Sequence, residues 1–437
     1  MAGKKKVNDT PRYYGRFLGK GIFVSNDSRA TGYNQHDLII AGSGGGKTGS
    51  IVYPQLKTIT DSSLIVADTK NQLHRMFGKD LLERGYRVLT LDFVNPEGSC
   101  LYNPLDYVRR TEDGGYNEID LMKISNALIP IRPDDRDPFW SNSARAVFEF
   151  FLSYCLEALP EEDHHMYAAC DLYRTFVKEM GEYGFIDFIE ENPESFAAKR
   201  YAQIKSMQKA DRTIASIYGF VNTAIYPFDV NVFRTIFDPR LHQKEETTGS
   251  GRKKAACRDD ILDISSLGRE KTVLFLNISD TDRSADLVVN LFYTQALQTL
   301  VQEADRNDDG RLLVPVRILM DDFAAGTTIP DFDKIISVVR SRDIWLTMCI
   351  QSISQLESLY GREKSRTILN NCDHLVYMSG NDLDTAEFIG TRANKTPETI
   401  LAMERSKEYL IEGGRRAILV DKISPYSDDF GEIRDAS

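Results

Sequence analysis

Residues 37–48 read DLIIAGSGGGKT, an apolar strand running into a glycine loop closed by Lys47 and Thr48. No other feature constrains the chain as much, because a strand, a phosphate-sized loop and a helix N-terminus must follow one another without a break. Glycines carry no Cβ, so the backbone N–H groups of Gly42, Ser43, Gly44, Gly45 and Gly46 can curl around phosphate oxygens. The helix that follows adds its positive dipole end. Lys47 would reach the β- and γ-phosphates of a nucleoside triphosphate, and the Thr48 hydroxyl would ligate Mg²⁺. The pattern G-x-x-x-x-G-K-[ST] asks for glycine at position 41, where this chain has Ala41, a minor departure in size. A flexible turn followed by an incidental Lys-Thr pair would leave the preceding strand unexplained.

The rest of the chain reads as α/β. Ser63–Asp68 (SLIVAD) is a short continuous apolar run, helical periodicity follows to Arg84, Gly85 sits where a helix cap belongs, and 86–92 (YRVLTLD) is the next strand. Strand signal vanishes between about 140 and 235, where apolar residues recur at helix spacing. Polar, glycine-bearing residues 243–258 have no period and read as a mobile surface loop. Strands resume at 272–278, 316–320, 344–350, 374–378 and 417–420. The expected architecture is a mostly parallel sheet covered on both faces, with an inserted all-helical domain and ligand at the strand C-terminal ends. The divisions are 1–36, an N-terminal lead-in; 37–140, the first part of the nucleotide-binding domain; 141–240, the helical insertion; 241–260, the loop; and 261–437, the second part.

Composition narrows the classes. With 42% hydrophobic and 27% charged residues over 437 positions, the chain has core enough for two or three domains and is neither disordered nor fibrous. A net charge of −11 means that any polyanion must be met by a local basic patch, not by the overall field. Six cysteines without a C-x-x-C pair read as buried thiols of a reducing compartment, and His164-His165, lacking a third ligand at metal spacing, as a solvated loop. No run reaches the ~20 apolar residues of a membrane span, so the expectation is a soluble, cytosolic chain.

A phosphate loop needs a carboxylate for its metal, at the end of an apolar strand expected beside the loop strand. Residues 317–323 read RILMDDF, making Asp321 the metal ligand candidate and Asp322 the candidate to polarise the attacking water. Two solvated loop acids are the plain alternative. Gln351, just past the strand IWLTMCI, could contact the γ-phosphate or instead cap the next helix. Arg340 and Arg342, in VVRSRD ahead of that strand, could deliver a guanidinium to a neighbouring subunit's γ-phosphate or be ordinary surface arginines.

Taken together with LGKGIFVSNDSRATGYN, ADTKNQ, LYNPLDYV at 101–108, DPFWSNSAR at 137–145, MDDF at 320–323, IPDFDKIISVVRSRDI and IQSISQLESLYG at 350–361, the chain resembles the VirD4/TraG conjugative coupling ATPases of type IV secretion from about residue 19 to about 400. The resemblance implies a RecA-like P-loop NTPase with an all-helical insertion, assembled as a hexameric ring. It implies ATP and Mg²⁺ as cofactors, with Lys47, Thr48, Asp321 and Gln351 in the roles above and Arg340, ahead of Arg342, acting across the subunit interface. The implied partners are DNA, in single-stranded form, the relaxase or relaxosome and the secretion channel proteins. The implied place is peripheral, at the inner face of the cell membrane. Two departures stand out. Asp322 replaces the family's usual glutamate, which would leave water further from the γ-phosphorus and slow turnover. The membrane-spanning helices with which most members begin are also missing, so this member would reach the membrane through a partner or has had an anchor removed.

Residues 196–213 carry Lys199, Arg200, Lys205, Lys209 and Arg212 against the single acid Asp211. Lys205, Lys209 and Arg212 fall at i, i+4, i+7, so one continuous helix would line them up as a stripe able to follow phosphates, or as a solvated face. Three functional readings stay open: a coupling ATPase that recruits and moves relaxase-bound DNA, a related FtsK/HerA or VirB4-like translocase or assembly ATPase, and a docking receptor that binds ATP with little hydrolysis.

Overall fold

The computed structural model describes residues 14–131, 137–178, 184–207, 211–242, 261–279, 281–321, 323 and 328–435. Among the described residues twelve strands fall into two sheets: β1 (Gly15–Gly19), β2 (Ile22–Ser25), β3 (Asp37–Ala41), β4 (Ser63–Asp68), β5 (Arg87–Asp92), β6 (Thr272–Asn277), β7 (Val316–Met320), β8 (Ile344–Ile350), β9 (His374–Ser379), β10 (Lys407–Glu412), β11 (Ile418–Asp421) and β12 (Arg434–Asp435). The large sheet runs β11-β10-β9-β3-β8-β7-β4-β6-β5. Its seven strands from β9 to β5 are parallel, and β10 and β11 extend it antiparallel.

Burial explains why the central strands were readable. Every residue of β3, β4, β6, β7 and β8 is buried, as expected of parallel strands with both faces covered. The two-residue alternation sends Leu38 and Ile40 to one face, with the helix Asp286–Asp305. Ile39 and Ala41 go to the other, with Leu18, Ile51 and Leu410. Beyond them on this second face, Leu64 and Val66 meet Leu56 and Phe77 of the helices Tyr53–Thr58 and Leu73–Glu83.

Among the described residues between β5 and β6 there is no strand longer than an isolated bridge. Helices Phe139–Ala158, Met166–Lys178, Ile186–Glu191, Phe196–Met207 and Asp211–Asp229 fill this region, and a further helix, Glu118–Leu128, precedes them, earlier than position 141. Their core is aromatic: Phe150 meets Phe151, Tyr154, Phe176, Phe185 and Tyr201. It is continuous with the sheet, since Phe148 and Phe151 belong to the same apolar cluster as Leu38 and Ile40.

Three readings need correcting or bounding. The lead-in 1–36 contains an antiparallel hairpin, β1–β2, turning at Lys20-Gly21 with Gly21 at φ 76°. It accepts β12 as a parallel third strand. His164 and His165 are not solvated: His165 is fully buried, and His164 bridges the Tyr116 hydroxyl and the Leu159 carbonyl. The expected loop at 243–258 lies outside the described residues, as does Cys257. Cys100, Cys155, Cys170 and Cys349 are buried thiols outside any disulfide, and Cys372 is part-buried.

Candidate nucleotide site

The C-terminal edge of the parallel sheet brings the predicted residues together. β3 delivers the chain into the loop, where the Gly42 N–H donates to the Ser379 carbonyl of β9 at 2.8 Å and the Gly45 N–H donates back to Gly42 O at 2.9 Å. Gly44 and Gly46 adopt φ of 69° and 95°, a region that side chains disfavour. A Cβ on Gly45 would lie 2.8 Å from the Ala41 Cβ and 2.9 Å from Gly42 O, so the curl requires glycine there. Lys47, 9% exposed, donates to the Ala41 carbonyl at 3.2 Å, folded back over its own loop. Thr48 opens a π-helical turn, Thr48–Val52, that runs into Tyr53–Thr58, so the loop leads directly into helix as the motif requires.

Asp321 follows β7, and here the expected neighbourhood is corrected. β7 is not beside the loop strand: β8 lies between them. The two sites still meet, because Thr48 Oγ1 donates to Asp321 Oδ2 at 2.8 Å across the end of β8. A hydroxyl and a carboxylate are hard oxygen donors of the kind Mg²⁺ takes alongside phosphates. The loop's curl and this donor pair fit a magnesium nucleotide. Beside Asp321, burial and the carboxylate's charge push the Tyr293 hydroxyl above its ordinary range, so it stays protonated.

Gln351 sits at the C-terminal end of β8, between loop and carboxylate, and is exposed. The capping alternative goes to its neighbour: the Ser352 side chain accepts from Gln355 N at 3.1 Å and caps the helix Ile353–Tyr360. Arg340 and Arg342 form a 3₁₀ turn feeding β8 from the opposite edge of the sheet. Arg342 is paired with Asp305 at 2.8 Å, whereas Arg340 is exposed. Asp322 lies outside the described residues.

The basic stripe is described only in part. The helix Phe196–Met207 carries Lys199, Arg200 and Lys205, Lys209 lies outside the described residues, and Arg212 falls in the helix Asp211–Asp229. Arg200 is turned inward, 2.7 Å from the buried Glu149, and Lys199 lies 3.8 Å from Glu118. The Lys205 amine lies 5.4 Å from the Tyr201 ring centre.

One residue without any motif also reaches the loop. Lys422, just past β11, donates to the Gly45 carbonyl at 2.9 Å. Nothing local announces it, since it arrives through the β10–β11 hairpin some 375 positions away.

A central parallel sheet with the glycine-loop strand flanked by β8 and β9, and the Asp321 carboxylate one strand beyond β8 in reach of Thr48, defines a RecA-like P-loop NTPase. The model of the family described as type IV secretory system conjugative DNA transfer matches residues 2–237, more than half of the chain, which therefore belongs to that family. A second model, described as the TraM recognition site of TraD and TraG, matches residues 315–409. The conjugal transfer protein TraG of Rhizobium radiobacter is 23% identical over 380 residues, 85% of this chain and 54% of TraG. The chain thus spans about half the length of the curated relatives it matches. Among solved structures, the bacterial conjugative coupling protein TrwBdeltaN70 in complex with sulphate covers 96% of this chain and 92% of its own length, with a TM-score of 0.65 at 14% identity. TrwB has also been solved with ADP and Mg²⁺, at a TM-score of 0.63 and 13% identity. VirB4 of Thermoanaerobacter pseudethanolicus covers 94% of this chain and 96% of its own at a TM-score of 0.51 and 14% identity.

Proposed function

We propose that this chain is an ATP-hydrolysing coupling protein that recruits relaxase-bound DNA and helps move it to a type IV secretion channel. The observation that carries the reading is the Thr48–Asp321 contact, which joins the two halves of a magnesium-nucleotide site from elements 273 positions apart. Gly42, Ser43, Gly44, Gly45 and Gly46 would cradle the phosphates, Lys47 would swing from Ala41 O to the β- and γ-oxygens, and Thr48 and Asp321 would hold the ion. Bound Mg²⁺ would supply charge neutralisation at the phosphate oxygens. Asp322 would orient the attacking water, Gln351 would contact the γ-phosphate, and Arg340 would serve the next subunit of a hexameric ring. Its position on the edge opposite Lys47 suits action in trans and not in its own site.

The cargo is proposed to be single-stranded DNA presented by a relaxosome, with the segment 141–240 as the contact region. Lys199, Lys205, Lys209 and Arg212 are the proposed phosphate contacts; Arg200, held by Glu149, is proposed to shape the helix pair instead. Both family descriptions and the greater likeness to TrwB than to VirB4 favour coupling over channel assembly. No helix among the described residues is long and apolar enough to cross a membrane, and the chain is proposed to work at the membrane's inner face.

The test is steady-state phosphate release over a range of protein concentrations, with and without single-stranded DNA, beside Lys47→Ala. Specific activity that climbs with concentration and DNA and vanishes in the control is expected. ATP binding without turnover under every condition would leave a docking receptor, with Asp322, a carbon shorter than glutamate, the first cause to examine.

A further inference from the structure

Residues 421–435 leave the sheet after β11, cross the first helix behind the glycine loop and finish on the N-terminal hairpin. Pro425 packs so closely on Gly49 that a Cβ there would lie 2.8 Å from the proline Cβ. Lys57 of the next helix holds Asp428 at 2.8 Å. Phe430 stacks on Phe17 at 4.9 Å, its carbonyl accepts from Gly21 N at 2.6 Å, and β12 pairs with β2. The segment is therefore a strap, fixed to the sheet at one end and to the hairpin at the other.

Lys422 is the point where this strap touches the loop. A trans peptide is planar, so the C=O of Gly45 and the N–H of Gly46 form one rigid unit and point in opposite directions. Holding the Gly45 oxygen with the Lys422 amine therefore turns the Gly46 N–H away from the strap. It is the N–H of a residue whose φ of 95° belongs to the phosphate-cradling curl. On β10, which pairs with β11, Glu408 is fully buried and neither of its carboxyl oxygens has a hydrogen-bond partner. The carboxyl is confined from the hairpin side too, since a Cβ on Gly19 would come 3.0 Å from Glu408 Oε1.

We propose that Lys422 is a positioning residue for the nucleotide loop, aiming the Gly45–Gly46 peptide at the phosphates from a C-terminal strap. The inference rests on the reading of the loop as an ATP site. Lys422 touches no reacting atom; it fixes the direction of one donor.

The experiment is calorimetric titration of the full chain with ATP and with ADP, for the wild type, Lys47→Ala, Lys422→Met, Lys422→Arg and Lys422→Gln, alongside KM and kcat for ATP. Lys422→Met is expected to weaken both nucleotides by about tenfold, the size of one charge-assisted hydrogen bond. The loss should fall on KM, and Lys422→Arg should recover most of it. Lys422→Gln, whose shorter neutral amide does not reproduce the charged donor, should weaken binding in the same direction, and it carries the test if Lys422→Met does not fold. Wild-type affinity in Lys422→Met, or an arginine variant as weak as the methionine one, would overturn the proposal while leaving the ATP site standing. A folded wild type that binds no nucleotide would bring down the site reading, and this inference with it.

Discussion

Asp37 stands at the foot of the strand whose other end is the glycine loop, and it is fully buried between two guanidiniums. Arg16 donates to it through Nε at 2.8 Å and through a second nitrogen, and Arg317 donates at 2.9 Å. Burial alone would raise the Asp37 pKa, but Arg16 and Arg317 outweigh it and hold the carboxyl below its usual range. His374 and His36, lowered to about 3 chiefly by burial, stay neutral beside it. Asp37→Asn would leave two buried cations without a counter-charge. Urea unfolding should show a loss of about 3–5 kcal/mol, the usual result of breaking a buried pair from one side. Because the folded pKa is depressed, the carboxylate's contribution is present above its unfolded pKa and is lost as pH falls through the acid range. Glu408 behaves in the opposite sense. Burial pushes its carboxyl up to about 8, against the attraction of Lys422. Its folded form keeps a proton that the unfolded chain releases above about pH 4.5. Stability from this group is therefore full below that pH and drains away up to about pH 8. Glu408→Gln should flatten that slope, with thermal unfolding at pH 8.5 gaining on the order of 4–5 kcal/mol over wild type and almost nothing at pH 4.5.

At the level of elements, what could be read in advance followed burial. The strands 63–68, 316–320 and 344–350 are covered on both faces, so their sequences are unbroken apolar runs, and their bounds match the reading residue for residue. β1, β2 and β10 were missed for the converse reason. GRFLG begins and ends in glycine, and KEYLIE carries the acids Glu408 and Glu412 into buried positions, which its polar composition does not announce. The glycine loop and Asp321 were legible because each motif is local. Their separation by β8 was not, because strand order is a property of the folded topology and leaves no trace in spacing. Lys422 was invisible on the same ground. The turn before β8 yields an element-scale prediction. Arg340→Ala should lower ATP turnover by about a thousandfold, as loss of an arginine finger does, with unchanged unfolding. Arg342→Ala, which loses only the part-exposed pair with Asp305, should cost less than about 1 kcal/mol of stability and keep most of the turnover.

For the whole molecule, the proposal that a neighbour completes the site makes a mixing experiment decisive. Lys47→Ala and Arg340→Ala chains, each inactive alone, form a working interface wherever an Arg340→Ala subunit supplies the loop and a Lys47→Ala subunit supplies the arginine. In an equal mixture that arrangement occurs at about a quarter of the interfaces of a cyclic ring. Phosphate release near a quarter of the wild-type value is expected, and none at all would argue that each chain works with its own parts. The mixture should also fall silent on dilution below the concentration at which rings form. β8 gives this assembly a mechanical character. It is seven residues long and buried throughout, and hydrogen bonds clamp it on both sides, to β3 and to β7. At about 3.3 Å per residue it spans roughly 23 Å as an unbending rod. On the proposed reading, Gln351 would be its tip in one catalytic cleft, and the turn bearing Arg340 would be its butt, facing the adjacent subunit. A thrust felt at the tip when a phosphate leaves would then arrive at the butt without slack, so each firing would reset the trigger next door.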